Sequence, residues 1–279
     1  MVALLNGRVE GAELVVVLSA FVDESGTGDE PNVILAALVG EVNGWLAFNA
    51  EWQTMLDVNE VDHAHYKDMR GSRPPFRGWT MNKKERFSRT SYAIIKERCL
   101  FAFTVSLSKA LYREKYREPC LAEGISPDSA YALCAREVFG YAINMAEKHL
   151  GYTEPMNFIF EAGHVNSTNA AAVFEDLKEH SEVGQRLGFF ALEDKKKLKP
   201  LQGADHLAHQ GRRSEAAQLK KGFIEVDANR YSEDFSSIHA DGCPVFYWAF
   251  TEEMLDYHRR QHHVLKGIRK RKRKGTENG

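Results

Sequence analysis

Cysteine is scarce and unpaired in this chain. Cys99, Cys120, Cys134 and Cys243 show no CxxC spacing and sit in stretches that read as strand or helix interiors, which excludes a disulfide framework or a zinc ribbon. No apolar run approaches the roughly 20 residues needed to span a bilayer. Ahead of the first apolar stretch stand Glu10 and Glu13, where a secretory leader carries Lys or Arg. The expectation is a soluble, cytoplasmic protein of a reducing compartment with no membrane partner. There is no internal repeat, and neither sign of charge dominates, with 37 basic residues against 39 acidic. The distribution is uneven, however. Seven basic residues lie in Lys266–Lys274, so residues 1–265 carry 30 basic and 38 acidic groups. The body is acidic and the tail basic.

At this length and with 43% apolar residues, one α/β domain with a substantial core is expected over residues 1–265, followed by a disordered basic tail at 266–279. Leu14–Val22 and Asn32–Gly40 read as buried strands joined by the polar turn SGTGDEP. Trp45, Phe48, Trp52 and Leu56 recur at spacings of three and four, which predicts an amphipathic helix. The Gly- and Pro-containing stretch VDHAHYKDMRGSRPPFRG reads as irregular. A helix over Asn82–Arg98, a third strand over Leu100–Leu107 and a polar helix around Ala110–Arg117 follow. A long helix over Ser126–Leu150 is predicted to be capped by Ser126 with Pro127 just inside it. Strand Met156–Glu161, helix Thr168–His180, strand Leu187–Leu192 and helices Leu201–Leu219 and Cys243–His263 complete the reading. This element order is that of a ribonuclease H-like α/β fold: a mixed five-stranded sheet flanked by helices, here with a helical insertion at about 43–98 between strands 2 and 3.

Three predicted elements end or begin on acids. The first strand runs into Asp23 and Glu24, the fourth closes on Glu161, and Asp205 lies near the start of a helix. Side chains alternate along a strand, so Asp23 shares a face with Phe21 and Glu24 with Val22. Asp23 is therefore expected to be the central ligand, and Glu24 to support it or the turn. Gln202, Asp205, His206 and His209 share one side of their helix. Carboxylates on rigid elements suit Mg²⁺ or Mn²⁺ with positions left for phosphate oxygens and water, and such clusters serve phosphodiester displacement. His206 or His209 would move a proton, since imidazole titrates near neutral pH. Any one of these acids alone reads as readily as a solvated strand end or a cap.

FVDESG near the N-terminus together with LQGADHLA near the C-terminus resembles the family known as domain of unknown function 3800, over roughly Val15 to Arg213. The resemblance implies a ribonuclease H-like fold and a metal-dependent nuclease activity, in a mobile-element or antiphage context. By position it carries the acidic set onto Asp23, Glu24, Glu161 and Asp205. It also matches a family segment to HAHYKD, that is His63, His65 and Asp68, but His63 stands where an acid is expected, so the loop either binds metal, contacts substrate or packs. Glu137, on the long helix, is the nearest match to a further glutamate of ribonuclease H enzymes.

His63 and His65 present either a two-imidazole clamp or an incidental HxH. Lys195, Lys196, Lys197 and Lys199 either meet phosphates or form a solvated loop. The basic tail suits a nucleic-acid arm, an import signal or a solubilising segment. Two functions follow, with a phosphohydrolase of nucleotides or another small phosphoester as a third. One is a nuclease using Mg²⁺ or Mn²⁺, with Asp23, Glu161 and Asp205 as ligands, Glu24 and His209 in support, and His63, His65, Lys199 and Gln202 toward the nucleic-acid substrate. The other is a non-catalytic module that binds nucleic acid or protein on the same fold.

Overall fold

The structure, a computed structural model, describes residues 16–26, 28–163, 166–220 and 243–261, the side chains of 213–220 excepted. The basic segment 266–279 and the acidic stretch after residue 220 lie outside the described residues. The strands are β1 (Leu18–Ser25), β2 (Asn32–Glu41), β3 (Phe101–Ser108), β4 (Met156–Glu161), β5 (Leu187–Glu193) and β6 (Val245–Ala249). They form one mixed sheet in the order β5-β4-β1-β2-β3-β6. β1, β2 and β3 pair antiparallel as a meander. β4 lies parallel to β1, β5 parallel to β4, and β6 parallel to β3.

β6 corrects the expected count of five strands. Val245–Ala249, VFYWA, lies in the segment expected to be one helix from Cys243, but its β-branched and aromatic residues extend the sheet beyond β3, and the helix begins only at residue 252. Tertiary pairing decided a short apolar run that fits either conformation.

Helices α1 (Val42–Val58), α2 (Tyr66–Arg70) and α3 (Met81–Arg98) lie between β2 and β3. α2 is a short helix inside the stretch expected to be irregular. After β3 the chain passes through α4 (Lys109–Tyr112), a π-helical turn and α5 (Glu118–Ala122), one broken helix rather than the single expected one. α6 (Ala130–Leu150) starts later than expected. Its cap is Ser129, whose hydroxyl accepts from the Ala132 amide, while Ser126 and Pro127 stay outside. α7 (Ser167–His180) leads to β5, and α8 (Lys199–Lys220) follows it.

Alternation along the strands divides the core into two layers. Val22, Leu35, Val39, Phe103 and Phe158 face α6 and α7. Ala36, Leu38 and Ala102 face α1, α3 and α8. The second face carries small residues at Ala36 and Ala102, and α8 answers with Gly203, Ala204, Ala208 and Gly211. A Cβ on Gly203 would stand 2.9 Å from both Leu38 and Phe48, and one on Gly211 would stand 3.1 Å from Thr104. α8 therefore lies close against the sheet, with its first turns beside the carboxyl ends of β1 and β4. Among the described residues no helix is long and apolar enough to cross a membrane. All four cysteines are buried free thiols.

Gly26 ends β1 at a φ of +83°, and a Cβ there would lie 2.0 Å from the Asn32 carbonyl oxygen. The glycine of DESG is thus what allows the strand to turn directly behind its two acids. Gly26→Ala is expected to lower stability by about 1–3 kcal/mol through backbone strain, read as a shift in the urea midpoint; an unchanged midpoint would contradict this account of the turn.

Candidate metal centre

β1 and β4 run side by side and parallel, with Phe21 opposite Ile159 and Val22 opposite Phe160. The next residues along are Asp23 and Glu161. Both continue the alternation that places Phe21 and Ile159 on the α8 side, so two carboxylates from neighbouring strands leave the sheet together at its carboxyl edge. Such an edge is where α/β sheets usually hold ligands. Asp205, in the second turn of α8, approaches from above.

The three acids meet at Lys195. Its Nζ lies 3.0 Å from Asp23 Oδ2, 3.0 Å from Glu161 Oε2 and 3.3 Å from Asp205 Oδ1. Asp23 is fully buried and Asp205 is 7% exposed. Two of the three carboxylates, Asp23 and Asp205, are also fixed from behind. Asp23 Oδ1 accepts the Glu24 amide at 2.8 Å, and Asp205 Oδ2 accepts the Tyr66 amide at 2.7 Å. These bonds set which oxygens point inward.

Glu24 departs from its expected supporting place. Its strand position is on the α6 side, where Tyr131 donates to Glu24 Oε2 at 3.5 Å. Yet its carboxylate reaches over the end of the sheet, and oxygens of Asp23, Glu24 and Glu161 all lie within 4.8 Å of one another. Alternation sorts side chains within a ladder, but at the last residues of a strand both faces open onto the same edge. The compact oxygen triplet is thus Asp23, Glu24 and Glu161, with Asp205 joined to it through Lys195.

Burial pushes the Asp23 carboxyl well above its ordinary value; the Lys195 charge opposes this, while Asp205 and Glu161 add to it. Glu24 is pushed up to about 8, first by burial and then by Asp23. Burial disfavours the Lys195 ammonium, but Asp23, Asp205 and Glu161 outweigh it and hold Lys195 above the usual lysine range. Four carboxylates against one ammonium remain short of positive charge.

A pH dependence follows. Between the usual glutamate value of 4.5 and about 8, Glu24 binds more proton in the native chain than in the unfolded one, so its contribution to the stability of metal-free protein falls as pH rises through that window, while buried His206 opposes it only below 6.5. Asp23 acts in the same direction. Chelator-treated protein should therefore melt higher at about pH 5 than at about pH 8, and saturating Mg²⁺ should flatten or reverse the slope, because cation and proton compete for the same oxygens. A slope unaffected by Mg²⁺ would rule out these oxygens as a cation site.

The cluster opens into a cleft of about 850 Å³, lined in part by Ser25, Glu30, His65, Lys67, His209 and Arg212. His65 is oriented by Asp68, Nδ1 to Oδ2 at 2.7 Å, and its Nε2 stands 3.8 Å from Asp205. His209 packs against Tyr66 with ring centroids 4.4 Å apart and the rings tilted by 44°, and it accepts from Arg212 at 3.1 Å. Arg212 in turn is tied to Glu30 at 3.2 Å.

Other expected residues lie elsewhere. His63 is half-buried and does not line the cleft, so it and His65 do not act there as a clamp; burial, then Lys196 and His65, lower its pKa. Lys199 begins α8 and is likewise not part of the lining. Gln202 is 1% exposed, with both ends of its amide engaged within the protein. Its Oε1 accepts Trp52 Nε1 at 2.9 Å and the Ala64 amide at 2.8 Å, and its Nε2 donates to the Lys195 carbonyl at 2.9 Å. That is a positioning role rather than contact with substrate. His206, one of two candidates for proton transfer, is buried between Tyr66 and Tyr92, and burial pushes its pKa down to about 3. It is unfit to deliver a proton to the cleft, which leaves His209. Glu137 belongs to a separate depression, where it pairs with His258 at 2.7 Å.

Sequence reasoning assigned Lys195 only to a general basic run. The signal available was its place: it is the first lysine after β5, at a turn closed by Asp194, whose carbonyl accepts the Lys197 and Leu198 amides and whose Oδ1 accepts the Lys196 amide. The turn sends Lys195 inward and leaves Lys196 and Lys197 exposed.

All the donors at the cluster are carboxylate oxygens, a set that could hold a metal ion. Compared with protein-family models and with curated proteins, the chain matches none.

Proposed function

We propose that the chain is a Mg²⁺- or Mn²⁺-dependent phosphodiester hydrolase, a nuclease, on a ribonuclease H-like fold of the kind implied by its resemblance to the domain of unknown function 3800 family. The observation that carries this reading is the convergence of Asp23, Glu161 and Asp205, from β1, β4 and α8, on a single cationic position. The fold part is supported by the element order: three strands, the long α6, β4, α7, β5 and α8.

Asp23, Glu24, Glu161 and Asp205 would hold the cation. Bound there, it supplies charge neutralisation for the phosphate and lowers the pKa of an attacking water. The remaining work falls to this chain's own side chains. Arg212 and Lys67 place positive charge in a cleft otherwise rich in acids and so receive phosphate oxygens. His209, held by Tyr66 and Arg212, is the group placed to pass a proton to the departing oxygen. Asp68 holds His65 toward Asp205.

The reading is tested by incubating purified protein with Mn²⁺ or Mg²⁺ and labelled single- and double-stranded DNA and RNA. Cleavage abolished by chelator is the expected outcome. One observation favours the second reading, a non-catalytic binding module: Lys195 pairs with three of the carboxylates and so offsets part of their charge by itself. Failure to cleave any substrate, together with no calorimetric signal for Mn²⁺, would establish that alternative.

A further inference from the structure

Three carboxylates on one lysine exceed what a structural ion pair needs. The distances of 3.0, 3.0 and 3.3 Å from Lys195 Nζ run to three different residues, which matches the three donors of an ammonium. The nitrogen thus occupies the place from which the inward oxygens of Asp23, Glu161 and Asp205 can all be reached. A Mg²⁺ ion held by the same oxygens, at about 2.0–2.1 Å, would fill that space, so the two cations exclude each other.

The rest of the residue is built for such an exchange. Its carbonyl is held by Gln202 and its turn is closed by Asp194, so the backbone is anchored while the four-carbon stem can swing. The side chain is 15% exposed and lines the cleft. Lysine, a compact charge on a flexible stem, suits this better than the planar fork of arginine.

Building on the metal-centre reading, we propose that Lys195 is the exchangeable counter-ion of the acid cage. Its ammonium holds Asp23, Glu161 and Asp205 together in metal-free protein and is displaced into the cleft when a divalent cation binds, where it meets the substrate phosphate. Binding of the cation and placement of a phosphate-binding charge are thereby one event, and the cage is never left without positive charge.

Full-length Lys195→Met protein, titrated with Mn²⁺ by calorimetry, should bind the ion about tenfold or more tighter than wild type, since the ion no longer competes with the ammonium. It should also melt lower without metal and gain more from Mn²⁺ than wild type does, yet turn over nucleic acid more slowly. Tighter metal with slower turnover is a split that a purely structural lysine would not give. In wild-type protein carrying ¹³Cε-lysine, saturating Mg²⁺ should shift one resonance that is missing from the variant; Lys195→Arg serves to assign it if Lys195→Met does not fold. Unchanged or weaker Mn²⁺ affinity in Lys195→Met, or a Lys195 resonance unmoved at saturation, overturns the proposal. Mn²⁺ binding that is lost in Asp23→Asn but unaltered in Lys195→Met ends this inference alone, whereas no binding to either wild type or Lys195→Met ends the metal-centre reading with it.

Discussion

Asp23→Asn protein is expected to fold, to melt higher than wild type in the absence of metal, and to lose Mn²⁺-dependent cleavage by about a thousandfold or more. Both parts have the same cause. Asp23 is fully buried, and its carboxyl is raised despite the adjacent Lys195, so its charged form is held at a cost to the fold. An asparagine keeps the shape, and its oxygen can still accept the Glu24 amide, but it removes the buried charge. What is lost is an anionic ligand that shares Lys195 with Glu161. Asp205→Asn should lose activity similarly. A gain in stability with a loss of function is the usual signature of a site kept against the interest of the fold. The checks are thermal melts with and without Mn²⁺ and single-turnover cleavage; Asn variants that cleave at the wild-type rate would refute the assignment.

Gln202→Ala should be strongly damaging although the residue lies outside the cleft. It leaves Trp52 Nε1, the Ala64 amide and the Lys195 carbonyl without their present partner. Each buried polar group so orphaned costs about 1–3 kcal/mol, and because the three share one side chain their losses will not simply add. A total of about 3–5 kcal/mol is expected from the urea midpoint. The functional effect is separate. The Ala64 contact fixes the segment carrying His65 and Tyr66, whose amide orients Asp205, and the Lys195 contact fixes the turn that aims the ammonium. Mn²⁺ affinity should therefore fall although Gln202 does not line the cleft. Gln202→Glu restores the acceptor but not the donor, so it should retain the Trp52 and Ala64 contacts and lose the one to Lys195. Equal affinity in Gln202→Ala and wild type would show that the site does not rely on this brace.

The motifs divide accordingly. In DESG, Asp23 and Glu24 bring the charge and Gly26 the turn that ends the strand behind them. In QGAD, Gln202 braces, Gly203 lets α8 approach Leu38 and Phe48, Ala204 packs in the core and Asp205 reaches the cage. Spacing along the helix was enough to place Gln202 and Asp205 on one side, but not to say which of them faces inside and which faces the cleft.

Much of the architecture was legible because local forces decide it. The apolar runs of β1 to β4, the spacing of Trp45, Phe48, Trp52 and Leu56, and the acids at Asp23 and Glu161 are properties of short segments. β6 was not legible, since a run as short as VFYWA fits a strand or a buried helix and its pairing with the edge of β3 decides between them. The reach of Glu24 over the sheet end, the burial of His206 between two tyrosines and the separation of Glu137 from the cleft were equally closed to sequence reasoning. The amino-acid sequence by itself determined which acids sit at the ends of rigid elements, because strand and helix boundaries follow from hydrophobic period and turn chemistry. Only the tertiary structure decided that these acids share one cation and that this cation is Lys195, because contacts across more than 170 residues depend on how strands pair and how closely α8 packs.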